Sequence, residues 1–266
     1  MKTISHIEKW KIILYRKKGC QSIMIMEGKY RVDVANVSTS NLLSNKGILS
    51  LFENIACLHS DIAGYGMNQI EKTHLTWVLL HWKVHVIKRV PYGSTVTVKT
   101  WAGKANAFFT MRDFEMYDEE NNLICIASSK WTLINTETNS ITRITDDVIS
   151  CYEPEEKCVF RENDIAKLKK PEIIGQPNFV FNVLRKDIDV NQHMHNLYYL
   201  DYAYEALPEE VYKKPEANDF EIMYKSGAKL GNTVSCFYVS QENNEHFVVM
   251  QGPDEKQLHA IVKLKF

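Results

Sequence analysis

The 266-residue sequence has no apolar run approaching the ~20 residues a helix needs to cross a bilayer. It has no Walker-type phosphate loop, no Gly-x-Gly-x-x-Gly turn and no Gly-x-Ser-x-Gly elbow. Nucleotide binding and the α/β-hydrolase route therefore have no local support. An excess of one charge is missing as well: 32 Lys and Arg stand against 33 Asp and Glu, a formal net charge of −1. Nothing in that balance asks for nucleic acid. Six cysteines (20, 57, 125, 151, 158 and 236) form no Cys-x-x-Cys pair. They lie in apolar stretches such as Ile124-Cys125-Ile126 and are expected to be reduced, small buried hydrophobes of a cytoplasmic protein. No metal and no organic cofactor is implied.

The chain is long enough for one large domain or two small ones, each with its own core. Its first 26 residues carry Lys2, Lys9, Lys11, Arg16, Lys17 and Lys18 around a short apolar segment. That segment is too short and too interrupted for a secretion signal. Residues 1–27 are expected to be an extension outside the fold, with Met24 or Met26 as alternative starts.

What the sequence does contain is one pattern written twice. In the first copy a short strand near residues 30–34 precedes Ile48, Leu51, Phe52, Ile55, Leu58 and Ile62 at helical spacing, and Gly64 and Gly66 stop that helix. Alternating strands follow, with Asp118-Glu-Glu-Asn-Asn122 as a hairpin turn between two of them. In the second copy residues 179–184 read as a strand. Leu197, Leu200, Tyr204 and Leu207 mark a helix, and further strands run to the end. The pattern predicts an α+β fold with antiparallel sheet: copies at 28–141 and 178–266, joined by a charged, Pro-containing linker at 142–177.

The second copy opens its helix with Lys186-Asp-Ile-Asp-Val-Asn-Gln-His-Met-His-Asn196. If that stretch is extended, Asp189, Asn191 and His193 share one side. They would bring a carboxylate, an amide and an imidazole beside a helix N-terminus that favours developing negative charge. Such groups can activate an attack on a carbonyl. Setting Asn41 against Asn196 places Val34, Asn36 and Ser38 at the corresponding first-copy positions, so the first copy lacks the acid and the imidazole. Chemistry is expected in the second copy alone.

This stretch resembles the Asp-x-Asn-x-His-x-x-Asn signature of the acyl-ACP thioesterases. Leu75-Thr-Trp-Val-Leu-Leu-His-Trp82, Pro91-Tyr-Gly-Ser-Thr-Val-Thr-Val-Lys-Thr-Trp101 and Ala127-Ser-Ser-Lys-Trp131 are similar to that family's first-domain strands. The likeness covers about residues 28 to 266. It implies a tandem (double) hot-dog, each half a long helix wrapped by a curved antiparallel sheet. It also implies hydrolysis of fatty acyl thioesters, acyl carrier protein as partner, and an acyl chain held in the first copy. A homodimer is compatible with it.

Within the motif, Asp189 is the expected general base or nucleophile, His193 assists proton transfer or orients water, and Asn191 holds the carbonyl or the loop. Asn196 is expected to cap or brace the loop, Asp187 to be structural, and His195 to add a second imidazole. One position departs from the family pattern: Gly227 falls where the family carries a catalytic Glu. Asp189, Glu205 or Glu221 could supply the missing carboxylate. The rival readings are an acyl-CoA thioesterase, a non-hydrolytic acyl-binding protein and, least favoured, a hot-dog hydratase.

Three further signals read as bland. His81 and His85 resemble a metal pair, yet four residues along a strand span about 13 Å, too far for one zinc, and both are expected to be solvated beside Lys83. Trp77, Trp82, Trp101 and Trp131 are expected in the core or a pocket wall. Lys88-Arg89, Lys167-Leu-Lys-Lys170 and Lys213-Lys214 are ordinary solvated charge, unless one of them docks an acidic carrier protein.

Overall fold

The computed structural model describes residues 15–17, 20–22, 25–161, 165–253 and 257–266. The expected extension therefore lies mostly outside the described residues, as does Met24. Of it, only β1 (Tyr15–Lys17) paired with β2 (Cys20–Ser22), and the start of the next strand, are placed.

The first copy runs β3 (Met26–Arg31), α1 (Asn45–Ala63), the short α2 (Ile70–Thr73), β4 (Leu75–Val86), β5 (Thr95–Ala105), β6 (Thr110–Tyr117), β7 (Leu123–Asn135) and β8 (Ser140–Thr142). The opening strand lies earlier than residues 30–34, because Met26 and Tyr30 bury while Lys29 and Arg31 stay exposed. Helix α1 begins where the Ser44 side chain accepts from the Gly47 N–H, and it ends at Gly64 in the left-handed region at φ 87°. A short α3 (Asp146–Ser150) follows. The second copy runs β9 (Phe179–Asn182), α4 (Asn196–Glu205), α5 (Glu209–Tyr212), β10 (Asp219–Tyr224), β11 (Thr233–Gln241), β12 (Glu245–Gln251) and β13 (Leu258–Lys265).

All these strands except β1 and β2 join one sheet, in the order β3-β5-β6-β7-β4-β10-β13-β12-β11-β9, with β8 on β7. Each half repeats the same order: first, third, fourth, fifth, second. The two second strands meet at the middle, β4 antiparallel to β10, with Trp82 opposite Ile222 and Val84 opposite Phe220. This is the arrangement of a tandem hot-dog.

On one face the two long helices lie antiparallel, since Asn45 reaches Tyr204, Lys46 reaches Asp201 and Glu53 reaches His195. Phe52 of α1 stacks on Phe114 at 4.8 Å between ring centroids, with Trp82 beside them. Trp82 and Trp101 are fully buried, and Trp77 donates to the Tyr152 hydroxyl at 2.8 Å. The described residues of the expected linker pack on both faces of the sheet. Val148 and Tyr152 pack at the C-terminal end of α1 with Ala63, while Leu168 and Ile173 cover Met223, Val249 and Ile261 on the other face of the sheet.

Candidate active site

The second copy enters its helix through a tight loop. An isolated bridge between Ile188 and Met194 closes it. Inside, the Asp189 N–H donates to the His193 carbonyl at 2.8 Å, and the Gln192 N–H donates to the Asp189 carbonyl at 3.1 Å. Gln192 takes the left-handed conformation at φ 61°. The Asp189 Oδ1 accepts from the Asn191 N–H at 2.8 Å and the His193 N–H at 3.3 Å. The carboxylate therefore holds the turn while its Oδ2 takes no part in those bonds.

The segment is thus a turn, not the extended run that period-two spacing requires. Asn191 lies exposed at its tip, whereas Asp189 and His193 are half-buried at its base. Among the described residues no hydrogen bond joins the side chains of Asp189, Asn191 and His193. The structure brings the acid and the imidazole to the base of one turn and leaves the amide above them.

The supporting residues are firmly placed. Asp187 is fully buried and accepts from the Leu184 N–H at 2.9 Å, the Tyr202 hydroxyl at 2.8 Å and Lys186 Nζ at 2.7 Å. Burial pushes its pKa up, but these bonds outweigh burial and leave it below the usual range. Its part is structural. The cap of α4 is His195, not Asn196: the ring Nδ1 accepts from the Leu197 N–H at 3.3 Å, and Asn196 is the first helical residue. The Asn196 carbonyl accepts from the Tyr224 hydroxyl at 3.1 Å.

Gly227 forms the floor. A β-carbon there would meet His193 Cδ2 at 2.7 Å and Cγ at 2.9 Å, so the imidazole occupies the space that any side chain at 227 would enter. Its neighbour Ala228 is locked on both sides, donating to the Tyr199 hydroxyl at 2.9 Å and accepting from the Met194 N–H at 2.7 Å. Neither suggested stand-in carboxylate reaches this place. Glu221 stands 3.1 Å from His81, and Glu205 is exposed at the far end of α4, about 15 Å along the helix from its cap. The residue that sequence reasoning missed is Glu53 of α1, whose Oε2 lies 3.5 Å from His195 Nε2.

The first-copy loop has the same hydrogen bonds, which corrects the alignment. Ser38 N–H donates to the Leu42 carbonyl, Asn41 N–H to the Ser38 carbonyl, and Ser44 caps α1. Asn45, not Asn41, is the counterpart of Asn196. Ser38, Ser40 and Leu42 stand where the second copy has Asp189, Asn191 and His193. The conclusion survives the shift, since this loop too has neither carboxylate nor imidazole. Arg89 fills the place facing it, donating to the Leu43 carbonyl at 3.0 Å, to the Ala217 carbonyl at 2.8 Å and to Asn45 Oδ1 at 2.8 Å.

Other expectations also change. His81 is buried at 3% exposure against Glu221 rather than solvated, while His85 pairs with Asp219 at 2.7 Å. Lys88 bonds to Asp118, and Lys213 to Glu209. Lys167 and Lys225 line a groove of about 340 Å³ with Lys169, Lys170, Met223 and Ile261. Burial lowers the Lys225 pKa, and the nearby Lys167 and Lys130 lower it further. Among the described residues no helix is long and apolar enough to cross a membrane.

Comparison with known proteins gives consistent matches. The model of the acyl-ACP thioesterase N-terminal domain matches residues 24–152, and that of the C-terminal domain matches residues 176–260. Oleoyl-acyl carrier protein thioesterase 2 of Arabidopsis thaliana, a chloroplastic protein, is 26% identical over 231 residues, 81% of this chain and 62% of the relative. This chain thus spans under two thirds of that relative's length. An acyl-ACP thioesterase from Bacteroides thetaiotaomicron superposes with a TM-score of 0.79 at 23% identity, covering 91% of this chain and 97% of that one. The 12:0-ACP thioesterase from Umbellularia californica superposes with a TM-score of 0.79 at 18% identity, covering 91% and 96%.

Proposed function

Because the chain belongs to the acyl-ACP thioesterase family, matching its two domain models in order, we propose that it hydrolyses fatty acyl thioesters of acyl carrier protein. The products are a free fatty acid and the carrier thiol, and the reaction ends chain elongation. The observation that carries this reading is the asymmetry of the two loops: only the second combines a carboxylate, Asp189, with an imidazole, His193, over a glycine floor.

Thioester hydrolysis forms a bond between water oxygen and the carbonyl carbon, breaks the carbon–sulfur bond, and moves one proton from water to sulfur. A thiol has a pKa of about 8.5, so the thiolate leaves readily and the demanding step is activating the water. Asp189 and His193, at the base of the loop, orient water and assist its deprotonation. The amide of Asn191 is free to meet the thioester as it arrives. The helix N-terminus behind the loop favours the oxyanion. The first copy, whose loop is plugged by Arg89, is assigned to the acyl chain. The partner is acidic, and the lysine-lined groove beside Lys225 offers it a complementary surface. The protein is assigned to the cytoplasm.

The test is thiol release from a panel of acyl-ACPs and matched acyl-CoAs, with Asp189→Asn as control. That variant keeps an oxygen acceptor for the two loop N–H groups and removes only the charge. Hydrolysis that depends on the carrier and falls steeply in the control is the expected result. Equal rates on acyl-CoA would make coenzyme A thioesters the substrate, and tight binding of acyl-ACP with no thiol released would make this a binding protein.

A further inference from the structure

The carboxylate that the family pattern places at residue 227 is absent, and His193 fills the space where it would start. We propose that Glu53, supplied by the first copy's helix, is a catalytic carboxylate of this site: the general base that takes the proton of the attacking water. The inference rests on the thioesterase reading and narrows Asp189 to holding the turn and orienting that water.

The geometry comes from both copies. Glu53 lies in the third turn of α1, and the antiparallel packing of α1 on α4 carries it to the mouth of the second-copy loop. His195 fixes what faces it. Its Nδ1 accepts from the Leu197 N–H, so the ring proton resides on Nε2, 3.5 Å from the Glu53 carboxylate. The imidazole is thereby committed as a donor toward Glu53 and is not itself the base.

The surroundings suit a base. The Glu53 side chain is only 20% exposed. Burial raises its pKa, His195 opposes that rise, and the Asp189 charge adds to it. The other titratable groups that face it are Tyr224 of β10 and Cys57 one turn along α1, both of which feel its charge. A carboxyl whose pKa is raised toward the working pH gives a stronger carboxylate base for the attacking water.

The pseudo-symmetry supplies a control within the same molecule. Counting nine residues from each helix cap, Ser44 leads to Glu53 and His195 leads to Tyr204. In the plugged first-copy site the equivalent side chain is thus a phenol, and its hydroxyl accepts from Asn45 Nδ2 at 3.0 Å. The site without an acid and imidazole in its loop also lacks the carboxylate opposite. In the proposed step the water proton passes to Glu53 as oxygen bonds to the carbonyl carbon. When the carbon–sulfur bond breaks, that proton leaves Glu53 for the thiolate.

The test compares wild type, Glu53→Gln and Glu53→Asp on one acyl-ACP, measuring kcat and KM from pH 5 to 9 and Tm across the same range. Glu53→Gln should lose about 10²–10⁴-fold in kcat with KM little changed. Glu53→Asp should keep part of the rate with the acid limb of its profile displaced. Because the folded-state pKa is raised, ionised Glu53 costs stability as pH climbs through it. Glu53→Gln should therefore match or exceed the wild-type Tm at pH 8 while turning over far more slowly. A wild-type rate in Glu53→Gln overturns the proposal. So does a Tm lower than wild type at pH 8 with an unshifted profile in Glu53→Asp, which would mark a structural ion pair. A wild type inactive on every thioester would instead defeat the thioesterase reading itself.

Discussion

Arg89 and Gly227 occupy the same place in the two copies. Each immediately precedes the residue whose carbonyl accepts from the closing residue of the loop, Val90 from Leu43 at 2.8 Å and Ala228 from Met194 at 2.7 Å. One position carries the bulkiest cationic side chain, the other none. In the first copy a guanidinium ties the loop to Ala217, in the segment just before β10, and in the second a cleared floor lets an imidazole lie down. That difference, together with Asp189 and His193 standing where the first loop has Ser38 and Leu42, separates a braced loop from the proposed reaction site.

The brace is expected to be worth a good deal. Arg89 stands 3.7 Å from the Glu216 carboxylate, which burial holds above its usual pKa. Arg89→Ala removes its bonds to the Leu43 and Ala217 carbonyls and to Asn45 and leaves the Glu216 carboxylate with the Asn45 N–H alone, which should cost about 1–3 kcal/mol in urea unfolding. The double variant with Glu216→Gln should recover part of the loss. A single variant as stable as wild type would show that the plug is not structural.

The floor predicts the opposite profile. Gly227→Ala should fold normally, since its backbone is not in the left-handed region. Its new methyl must displace the His193 ring by a few tenths of an ångström or more. A misplacement approaching 1 Å lowers turnover on the order of 10²-fold. Steady-state kinetics beside a thermal melt would separate the two effects, and unchanged kcat would remove His193 from the mechanism.

Asp187 should matter to stability, not to chemistry. Asp187→Ala removes the charged acceptor shared by the part-buried Tyr202 hydroxyl and Leu184 N–H, at about 1.5–3 kcal/mol in all. The sign of its pH dependence follows from a folded-state pKa below the unfolded one. Its stabilisation is present above the unfolded value of about 3.9 and disappears as pH falls through the folded value. Wild type and variant should converge in acid, as denaturation at pH 7 and pH 3 would show.

The lysine groove predicts a difference between carriers. Lys167→Glu and Lys225→Glu should lower kcat/KM for acyl-ACP, most strongly at low salt, while leaving acyl-CoA turnover nearly unchanged. Equal losses on both substrates would place the groove outside carrier docking.

Much of this architecture was legible in the residues. The spacing of Ile48, Phe52 and Ile55, ended by Gly64, located α1, and repetition of the pattern foretold two equivalent halves. The motif marked where the second-copy loop enters its helix, but its alternating residues read as an extended run, and the turn closed between Ile188 and Met194 was not legible in them. Register across copies was not legible either. Matching Asn41 to Asn196 by identity set the alignment off by four residues, and matching the helix caps Ser44 and His195 corrects it. Glu53 left no trace at all, because a glutamate on a helix reads as a solvated face. Only the antiparallel contact between α1 and α4 reveals that this face looks into the other copy's loop. His81 misled for the same reason, its partner Glu221 being 140 residues away.

The join between β4 and β10 has a consequence for what a single substitution can do. Where two identical subunits meet about a symmetry axis, each residue change is stamped on both ends, and neither end can be altered alone. Here both ends belong to one polypeptide with separate spellings. A change at Gly227 leaves Arg89 untouched, and a change at Glu53 leaves Tyr204 in place. The molecule keeps the outline of a symmetric pair while one end carries the proposed reacting groups and the other is braced by Arg89.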